Sequence, residues 1–498
     1  MHMSDCLGGY KFLAEDIETE LSEPVLVDHG EVTTSVFANP DTHILEINSK
    51  TGLYPLYMAY TTYRYARQRF IDKHTLARDL TREEEQAIWD EVVNRNIFVI
   101  CKTKMARSIT RRTLIGFRDK VSTNLHAYDD LLNQVQNKKA QFIKYVCSLS
   151  FWNYKSVKSN DMLKFNAIVG NPPYQEVIGG DGLNRALAKQ LYPSFIKIAI
   201  EINPDFISLV TLSRWFKGDA QDKSFLELRT FIKEGNNHFA RIFNFSSAND
   251  IFPNVAIKGG INYFLIDKQH VGNVDFCNCD NVYVVQNRPL FEEGLDIILN
   301  NSIEYSLIKK VTSYKFRTLN TITKGRNAFG IVGKPDVVRA ISEPHKFEGS
   351  IKLQCKGGEI RWTLPQNVTR SHDVFKAYKV FISKSAGDPL TDGKIIGTPI
   401  VAYPMETCTD TFIPIGCFDD VTEAENLAKY LKTKFVRAMV SVLKVSQNVS
   451  QFVPLQDFTA QSDIDWSKSI EKIDKQLYKK YNLSSDEMDF IEKMIKPM

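Results

Sequence analysis

Short apolar runs alternate with amphipathic stretches over residues 43–268, and this alternation restricts the possible folds more than any other feature of the chain. The stretches that begin PLYMAYTTYRY, TREEEQ, KMARSITRR and LYPSFIK have helical spacing. Strands that alternate with helices predict an α/β domain whose parallel sheet is covered by helices on both faces. The runs that predict buried strands are HILEI (43–47), NIFVI (96–100), FNAIVG (165–170), DFISLVTL (205–212), HFARIFNFS (238–246) and GGINYFLID (260–268).

The alternation is lost beyond about residue 290, where Gly, Thr and Asn become frequent and the predicted strands are short. A chain of 498 residues is too long for one ordinary core. Helical spacing returns in 421–443 and 469–481. We therefore predict four regions: an N-terminal extension (1–24), an α/β domain (25–290), a mixed α+β domain (291–420) and a C-terminal helical region (421–498).

Charge, hydropathy and cysteine content narrow the class of function. The formal net charge of +4 is a weak basic bias, which permits a nucleic-acid partner without requiring one. No apolar run is long enough to span a membrane, and the N-terminus has no signal-peptide pattern. Eight cysteines, with Cys277 and Cys279 as the one close pair, indicate neither a disulfide scaffold nor a zinc site. We expect a reduced, cytoplasmic setting with no membrane and no metal.

The tetrapeptide Asn171-Pro172-Pro173-Tyr174 directly follows a predicted buried strand. Ligands of open α/β sheets bind beyond the carboxyl ends of the strands. The two prolines fix their own φ and push the preceding residues toward extended conformations, so the loop is stiff. Its amide and carbonyl oxygens, beside an aromatic face, suit an exocyclic amine on a planar ring. A rigid turn without function is the alternative, and the placement after a strand disfavours it.

The segment FNAIVGNPPYQ resembles the catalytic motif of amino-group methyltransferases that use S-adenosylmethionine (SAM). It is most similar to the Eco57I-like adenine-N6 DNA methyltransferases of restriction-modification systems, with the γ-type order of motifs. The resemblance implies a Rossmann-like SAM-dependent methyltransferase sheet in 25–290 and a target-recognition domain in 291–420. Further similar segments are HGEVTT (29–34), ILEINSKTG (44–52), NIFVICKTKMA (96–106) and HAYDDLL (126–132). SRWFKGD (213–219) and SANDIFPNVAIKGGINYFLID (248–268) resemble later elements that finish the sheet and flank the target-base pocket.

The same resemblance implies the site residues. Asn171 to Tyr174 would hold an adenine that has been flipped out of the duplex. Three positions depart from the family's pattern, and at the first of them Ile47 stands in place of a proline. Lys50 stands in place of a loop glycine, and Cys101 stands in place of a carboxylate that binds ribose. The implied catalytic residues are Asn171, Pro172, Pro173 and Tyr174, and the implied cofactor contacts are Thr33, Glu46, Asn48, Gly52, Cys101, Asp129 and Asp130.

The implied partners are SAM and double-stranded DNA, together with an endonuclease or helicase partner or a nuclease region preceding the chain. Two other functions stay open. One is an NPPY methyltransferase that acts on RNA or on a protein amide. The other is a catalytically weak or inactive methyltransferase-like module that recognises DNA in a restriction or phage-defence complex, and Lys50 and Cys101 are its support.

Two groups of residues predict DNA contacts, each with an ordinary alternative. The seven Lys and Arg side chains within 101–120 suit either a phosphate-binding face or a solvated helix face. The basic, amide and aromatic residues of 324–331 and 368–385 suit either readout of base edges or an ordinary β-rich surface.

Overall fold

The chain divides into two compact units, Met1–Ile298 and Leu299–Met498. The division falls close to the change in sequence texture near residue 290, and the finer boundaries at 24, 290 and 420 stay predictions. Parts of the motifs at 248–268 and 368–385 lie outside the described residues. The computed structural model describes residues 1–14, 19–75, 77–152, 162–177, 188–218, 220, 222–250, 252, 260–279, 284–314, 317–325, 327–383, 395–442 and 452–498.

One sheet dominates the first unit, and nine strands of the described chain form it. Every strand predicted between residues 43 and 268 is present. The strands are β3 (Ile44–Ser49), β4 (Ile97–Cys101), β5 (Asn124–Ala127), β6 (Ala167–Gly170), β9 (Phe206–Leu212), β10 (Phe239–Phe245), β11 (Ile261–Asp267), β12 (Val274–Asn278) and β13 (Val284–Arg288). Their spatial order is β13-β12-β10-β11-β9-β6-β3-β4-β5.

The direction of the strands differs from the prediction in one half of the sheet. The strands β5, β4, β3, β6 and β9 are parallel neighbours. In contrast, β11 runs antiparallel to both β9 and β10, and β13 runs antiparallel to β12. The prediction that the sheet is parallel throughout is therefore wrong. An apolar run indicates that a strand is buried on both faces, but it contains no information about the direction of the strand relative to its neighbours.

Helices connect and cover these strands, as the Rossmann-like α/β prediction requires, and the fold class is confirmed. Sequence signals mark several helix starts: Thr81 and Glu84 form a capping box, Thr103 caps the next helix, and Pro193 lies in a first turn. The helices are α1 (His2–Cys6), α2 (Glu31–Thr33, continued by a π turn at Thr34–Ala38), α3 (Leu53–His74), α4 (Arg82–Asn96), α5 (Lys104–Ile115), α6 (Leu131–Asn137), α7 (Lys139–Val146), α8 (Tyr192–Ile202) and α9 (Ser224–Lys233).

Two small ribbons complete the first unit. The strands β1 (Gly9–Leu13) and β2 (Glu20–Val27) pair antiparallel, and so do β7 (Gln175–Val177) and β8 (Ala188–Gln190). Met3, Cys6 and Leu7 are buried in the core of the unit, so the region predicted as an N-terminal extension contributes to the packing of the sheet domain.

The second unit is mixed α+β, as predicted. One sheet has the order β14-β16-β15-β19 and the other β18-β17-β20. The strands are β14 (Ser342–Glu343), β15 (Ile351–Gln354), β16 (Ile360–Thr363), β17 (Tyr378–Ser383), β18 (Ile400–Ala402), β19 (Thr407–Cys408) and β20 (Phe412–Phe418). The helices are α10 (Ser302–Ser313), α11 (Pro335–Ile341), α12 (His372–Phe375), α13 (Val421–Lys432), α14 (Lys434–Ser441), α15 (Ile470–Lys480) and α16 (Ser485–Met494).

The long helix predicted at 421–443 is broken at Thr433. This residue has an extended backbone, and its hydroxyl accepts a hydrogen bond from the backbone N–H of Val436, so it ends one helix and caps the next. None of the helices in the described ranges combines the length and the apolar character that crossing a membrane requires.

Candidate active site

The carboxyl ends of β3 and β6 lie side by side, and each carries one of the main sequence motifs. Glu46 pairs with Val169 in the parallel ladder, so the tetrapeptide leaves the sheet just beyond Gly170. A Cβ atom at Gly170 would lie 3.3 Å from Cγ of Glu46, and Gly170 has a φ of +149°. Glycine therefore lets the two strand ends approach closely. The sequence analysis missed Gly170, although a glycine directly before Asn171 was a signal for it.

Two buried polar side chains belong to the carboxyl-terminal half of β3. Oε2 of Glu46 and Nδ2 of Asn48 have no hydrogen-bond partner within the described residues. Burial raises the pKa of Glu46 to about 8, while a hydrogen bond with Ser49 and the charge of Lys50 act in the opposite direction. Asn48 has a φ of +77° at an irregularity in the ladder. Unpaired buried polar groups are costly, and they concentrate where a ligand completes them.

The loop after β3 is held against α5. A Cβ atom at Gly52, whose φ is +80°, would lie 3.1 Å from Cα of Thr110. The hydroxyl of Ser49 is 3.3 Å from that of Thr110, and the hydroxyl of Thr113 donates to the carbonyl of Thr51 over 2.7 Å. Gly52 therefore permits close packing of the loop on α5, and its contact with a cofactor stays a prediction.

Two other predicted contacts are engaged within the fold. The thiol of Cys101 is fully buried 3.8 Å from Oγ1 of Thr110, and burial raises its pKa to about 11. The hydroxyl of Thr33 donates to the carbonyl of Leu7 over 2.9 Å and accepts from the backbone N–H of His29 over 2.8 Å. Both side chains support the packing around the site, and their cofactor contacts stay predictions.

The two predicted acids follow β5 at the same edge of the sheet, and both are exposed. Oδ2 of Asp130 accepts hydrogen bonds from the side-chain amides of Asn133, over 2.9 Å, and Gln134, over 3.2 Å. The bond from Asn133 is the main cause of the lowered pKa of Asp130. Asp130 therefore stabilises the start of α6, which favours Asp129 as the acid that contacts a ligand.

The tetrapeptide Asn171–Tyr174 is fixed by its surroundings. Pro172 is buried, and the carbonyl of Tyr174 accepts a hydrogen bond from the backbone N–H of Leu191 over 3.1 Å. The ring of Tyr174 packs edge-on against that of Tyr192, with centroids 6.3 Å apart and an interplanar angle of 87°. Burial raises the pKa of Tyr174 to about 12, and the Asn171 side chain opposes this shift.

Tyr54, at the start of α3, is influenced both by Glu46 of β3 and by Tyr174 of the tetrapeptide. Its pKa is raised first by burial and then by the nearby Glu46 and Tyr174. Its hydroxyl lies 3.2 Å from Nδ1 of His2, whose Nε2 lies 2.8 Å from Oγ of Ser208. The charges of Glu46 and Tyr174 thus both act on the buried hydroxyl of Tyr54, a residue that the sequence analysis did not identify.

The basic residues of 101–120 do not form one free cationic face. Arg107 donates to the carbonyl of Leu125 over 2.9 Å, Arg111 donates to the carbonyl of Arg118 over 2.9 Å, and Arg118 pairs with Asp90. These three arginines stabilise local structure. For this helix, a solvated face is therefore favoured over a phosphate-binding face.

The aromatic residues of 324–331 and 368–385 also have a packing role. Phe329, Phe375 and Phe381 are buried in one hydrophobic cluster of the second unit. These three rings are not available to stack on bases, whereas Tyr378 is partly exposed, so a DNA contact in the described parts of these segments would depend on Tyr378 and on the polar side chains.

An open α/β sheet carries a stiff Asn-Pro-Pro-Tyr loop at its carboxyl edge, next to two buried polar groups without a partner in the described residues, and this arrangement is typical of amino-group methyltransferase domains. Residues 95–252 match the model of the Eco57I restriction-modification methylase family, and this segment contains the tetrapeptide. This part of the chain is therefore similar to Eco57I-type methylases.

A curated relative supports this assignment. Over 141 residues the chain is 31% identical to an uncharacterized adenine-specific methylase of Mycoplasma pneumoniae, and the alignment covers 28% of this chain and 32% of the relative. The chain thus spans about a third of the length of the curated relative it matches.

Three solved structures are loosely similar. A Type IIL restriction-modification enzyme, MmeI, in complex with DNA has a TM-score of 0.48 at 10% identity, covering 91% of this chain and 73% of that one. The DrdV–DNA complex has a TM-score of 0.44 at 9% identity, covering 85% and 53%. A nuclease-deletion mutant of LlaGI with a DNA substrate mimic has a TM-score of 0.43 at 11% identity, covering 84% and 43%. These TM-scores are too low to bear on fold or function.

Proposed function

We propose that this protein transfers a methyl group from SAM to N6 of adenine in double-stranded DNA, as part of a restriction-modification or phage-defence system. The observation that carries the proposal is the position of Asn171–Tyr174. This loop leaves the carboxyl end of β6 beside the buried carboxyl of Glu46, inside the segment that matches the Eco57I methylase family.

The tetrapeptide supplies the groups that an adenine amine requires. The side-chain oxygen of Asn171 and the carbonyl of Pro172 would each accept one hydrogen of N6, which aims the nitrogen lone pair at the methyl group. Tyr174 would stack on the flipped base. The new N–C bond forms as the methyl–sulfur bond breaks, and N6 releases one proton. The chain contributes positioning and charge stabilisation, and no side-chain nucleophile is needed.

Two buried atoms of β3 without a partner in the described residues support the proposal that SAM is the cofactor. SAM supplies a methyl group on a positively charged sulfur, which departs as a neutral thioether. Oε2 of Glu46 is an unpaired acceptor suited to an ammonium group, and Nδ2 of Asn48 is an unpaired donor suited to a carboxylate. Lys50 is exposed, so its side chain need not occupy the pocket. These features argue against the inactive module.

The proposed substrate and partners follow from the same assignment. The second unit would read the target sequence, while cleavage would require an endonuclease or helicase supplied by another chain or by another part of the polypeptide. Since the family match covers about a third of the chain, the second unit's role depends on the experiment below rather than on similarity.

The decisive experiment is methylation of mixed-sequence, unmethylated DNA by the purified protein with SAM, followed by digestion to nucleosides and mass spectrometry. We expect N6-methyladenine from the wild type. Asn171→Ala should lower the rate by about a hundredfold or more, since it removes one of the groups that hold the amine. Asn137→Ala, which removes an exposed amide on α6, is the matched control and should retain full activity.

RNA and protein substrates, incubated with methyl-labelled SAM, test the alternative acceptors in parallel. Wild-type protein that binds both SAM and DNA but leaves every adenine unmethylated would refute the proposal. Label in RNA or protein that disappears in Asn171→Ala would move the assignment to that substrate.

A further inference from the structure

The turn that follows β9 lies beside the catalytic loop. Gly170 pairs with Leu209 in the parallel ladder between β6 and β9, so both strands deliver their next residues to the same edge of the sheet. After β6 the chain continues into the tetrapeptide, and after β9 it continues into residues 213–218. Anything held by the tetrapeptide is therefore close to this turn. The family resemblance places the turn among the elements that flank the target-base pocket, and it gives no role to any single residue of the turn.

Buried side chains fix the start of the turn. The hydroxyl of Ser213 donates to Oδ1 of Asn244 over 2.7 Å and accepts from Nδ2 of Asn262 over 3.3 Å. Both asparagines are buried and stand opposite each other in β10 and β11. The hydroxyl of Thr211 donates to Oδ1 of Asn262 over 3.2 Å. A buried row of polar side chains thus anchors Ser213.

A buried arginine fixes the end of the turn. Arg229 is 2% exposed, and its Nη1 donates to the carbonyls of Trp215 and Gly218, each over 2.8 Å. The backbone N–H of Gly218 donates to the carbonyl of Arg214 over 2.8 Å, and a Cβ atom at Gly218 would lie 2.5 Å from that oxygen. The backbone around Arg214 is therefore pre-organised on both sides.

The side chain of Arg214 is partly exposed on this rigid frame. Within the described part of the chain, no hydrogen bond or ion pair engages its guanidinium. Its charge acts on the buried hydroxyl of Tyr192, where burial raises the pKa and Arg214 opposes the rise. Tyr192 is the ring that packs edge-on against Tyr174. Arg214, which none of the described residues engages, therefore carries its charge on the turn that follows β9, at the edge of the sheet where the tetrapeptide leaves β6.

The nearby carboxylate of Asp222 is already engaged. It accepts hydrogen bonds from the backbone N–H groups of Ser224, over 3.1 Å, and Gln190, over 3.3 Å. Asp222 therefore holds the start of α9 and the end of β8, and within the described residues no ion pair joins it to Arg214.

We propose that Arg214 binds a backbone phosphate of the DNA strand that carries the target adenine, next to the base held by Asn171–Tyr174. The inference rests on the proposed function and adds a substrate contact to it. A guanidinium presents paired donors that match two oxygens of one phosphate. Such a contact positions the strand without reading its sequence, and it helps to hold a nucleotide that has left the duplex.

The test compares Arg214→Gln and Arg214→Lys with Arg82→Gln, which removes an exposed arginine from the acidic first turn of α4. DNA affinity is measured by fluorescence anisotropy at several salt concentrations, and SAM affinity by calorimetry. We expect Arg214→Gln to reduce the slope of log affinity against log salt by about one and to weaken binding to all sequences alike. Arg214→Lys should keep the slope, because it keeps the charge.

Single-turnover methylation adds a second measurement. We expect the rate to fall about tenfold or more in Arg214→Gln and by less in Arg214→Lys, with SAM affinity and unfolding temperature equal to those of the control. A wild-type slope together with a wild-type rate in Arg214→Gln would overturn the proposal. So would a lowered unfolding temperature or lost SAM affinity, since either assigns Arg214 a structural role.

The two proposals fail in different ways. If the wild type makes no N6-methyladenine, the proposed function fails, and the salt slope of Arg214→Gln still decides whether Arg214 contacts a phosphate. If the wild type methylates DNA and the slope does not change, the methyltransferase stands and only the role of Arg214 is refuted.

Discussion

The buried carboxyl of Glu46 predicts that SAM affinity depends on pH. Burial raises the pKa of this group to about 8, so roughly one carboxyl in ten is ionised at pH 7. The ionised form is the one that would pair with an ammonium group. The apparent dissociation constant should therefore fall about fiftyfold between pH 6 and pH 8, which corresponds to about 2.3 kcal/mol, because the ionised fraction rises by that factor.

Isothermal titration calorimetry of SAM binding checks this expectation. The wild type should release close to one proton on binding at pH 7, measured in two buffers with different ionisation enthalpies. Glu46→Gln should bind more weakly and lose this release. SAM titrates on its own, so the decisive quantity is the difference between the two proteins. Glu91→Gln, which changes an exposed glutamate on α4, should behave as the wild type.

The same pKa shift has a consequence for the fold. Between an ordinary pKa of 4.5 and the raised value of about 8, the native state binds more protons at Glu46 than the unfolded chain does. The stability that this group contributes is therefore present below pH 4.5 and is lost as the pH rises toward 8. The unfolding temperature of the wild type, relative to Glu46→Gln, should fall across this window. Equal pH profiles for affinity and unfolding in the two proteins would refute the reasoning.

Two further substitutions test packing. Gly170→Ala should lower both the methylation rate and the stability, the latter by about 1–3 kcal/mol, because its Cβ would press on Glu46. Gly235→Ala is the control, because Gly235 also has a positive φ (+102°) but a Cβ atom there would meet open space. It therefore reports the effect of backbone strain without a steric contact. Equal methylation kinetics in the two variants would contradict the proposed contact between Cβ and Glu46. Lys379→Met should destabilise the second unit by about 2–4 kcal/mol, because a buried ammonium that donates to three backbone carbonyls is lost. Hydrogen exchange of β17 measures this effect, with the half-exposed Lys352→Met as control, and unchanged exchange in Lys379→Met would count against it.

The strands of the sheet were predictable, and their directions were not. Apolar runs such as 205–212 and 260–268 mark segments buried on both faces, and each became a strand. The antiparallel direction of β11 between β9 and β10 depends on pairing between segments that are distant in sequence. Hydrophobic periodicity is local, so it carries no record of which strand lies next to which.

Some features of the candidate site were also predictable from the sequence, and others were not. A stiff loop directly after a buried strand placed Asn171–Tyr174 at the ligand edge of the sheet, and the structure has it there. The roles of Thr33, Gly52 and Cys101 could not be separated from a motif alone, since packing against Leu7 and Thr110 engages them. Nothing local distinguishes a residue that faces a ligand from one that supports its neighbour.

By itself, the sequence determined the α/β class, the order of the strands along the chain and the position of a stiff loop directly after a buried strand, because local hydrophobicity and proline geometry specify these. Only the tertiary structure decided that Gly170 meets Glu46, that the hydroxyl of Tyr54 lies against His2, and that β9 brings the rigid turn with Arg214 to the same edge of the sheet as the tetrapeptide. These contacts join segments far apart in the chain, and their geometry depends on the packing of the whole domain.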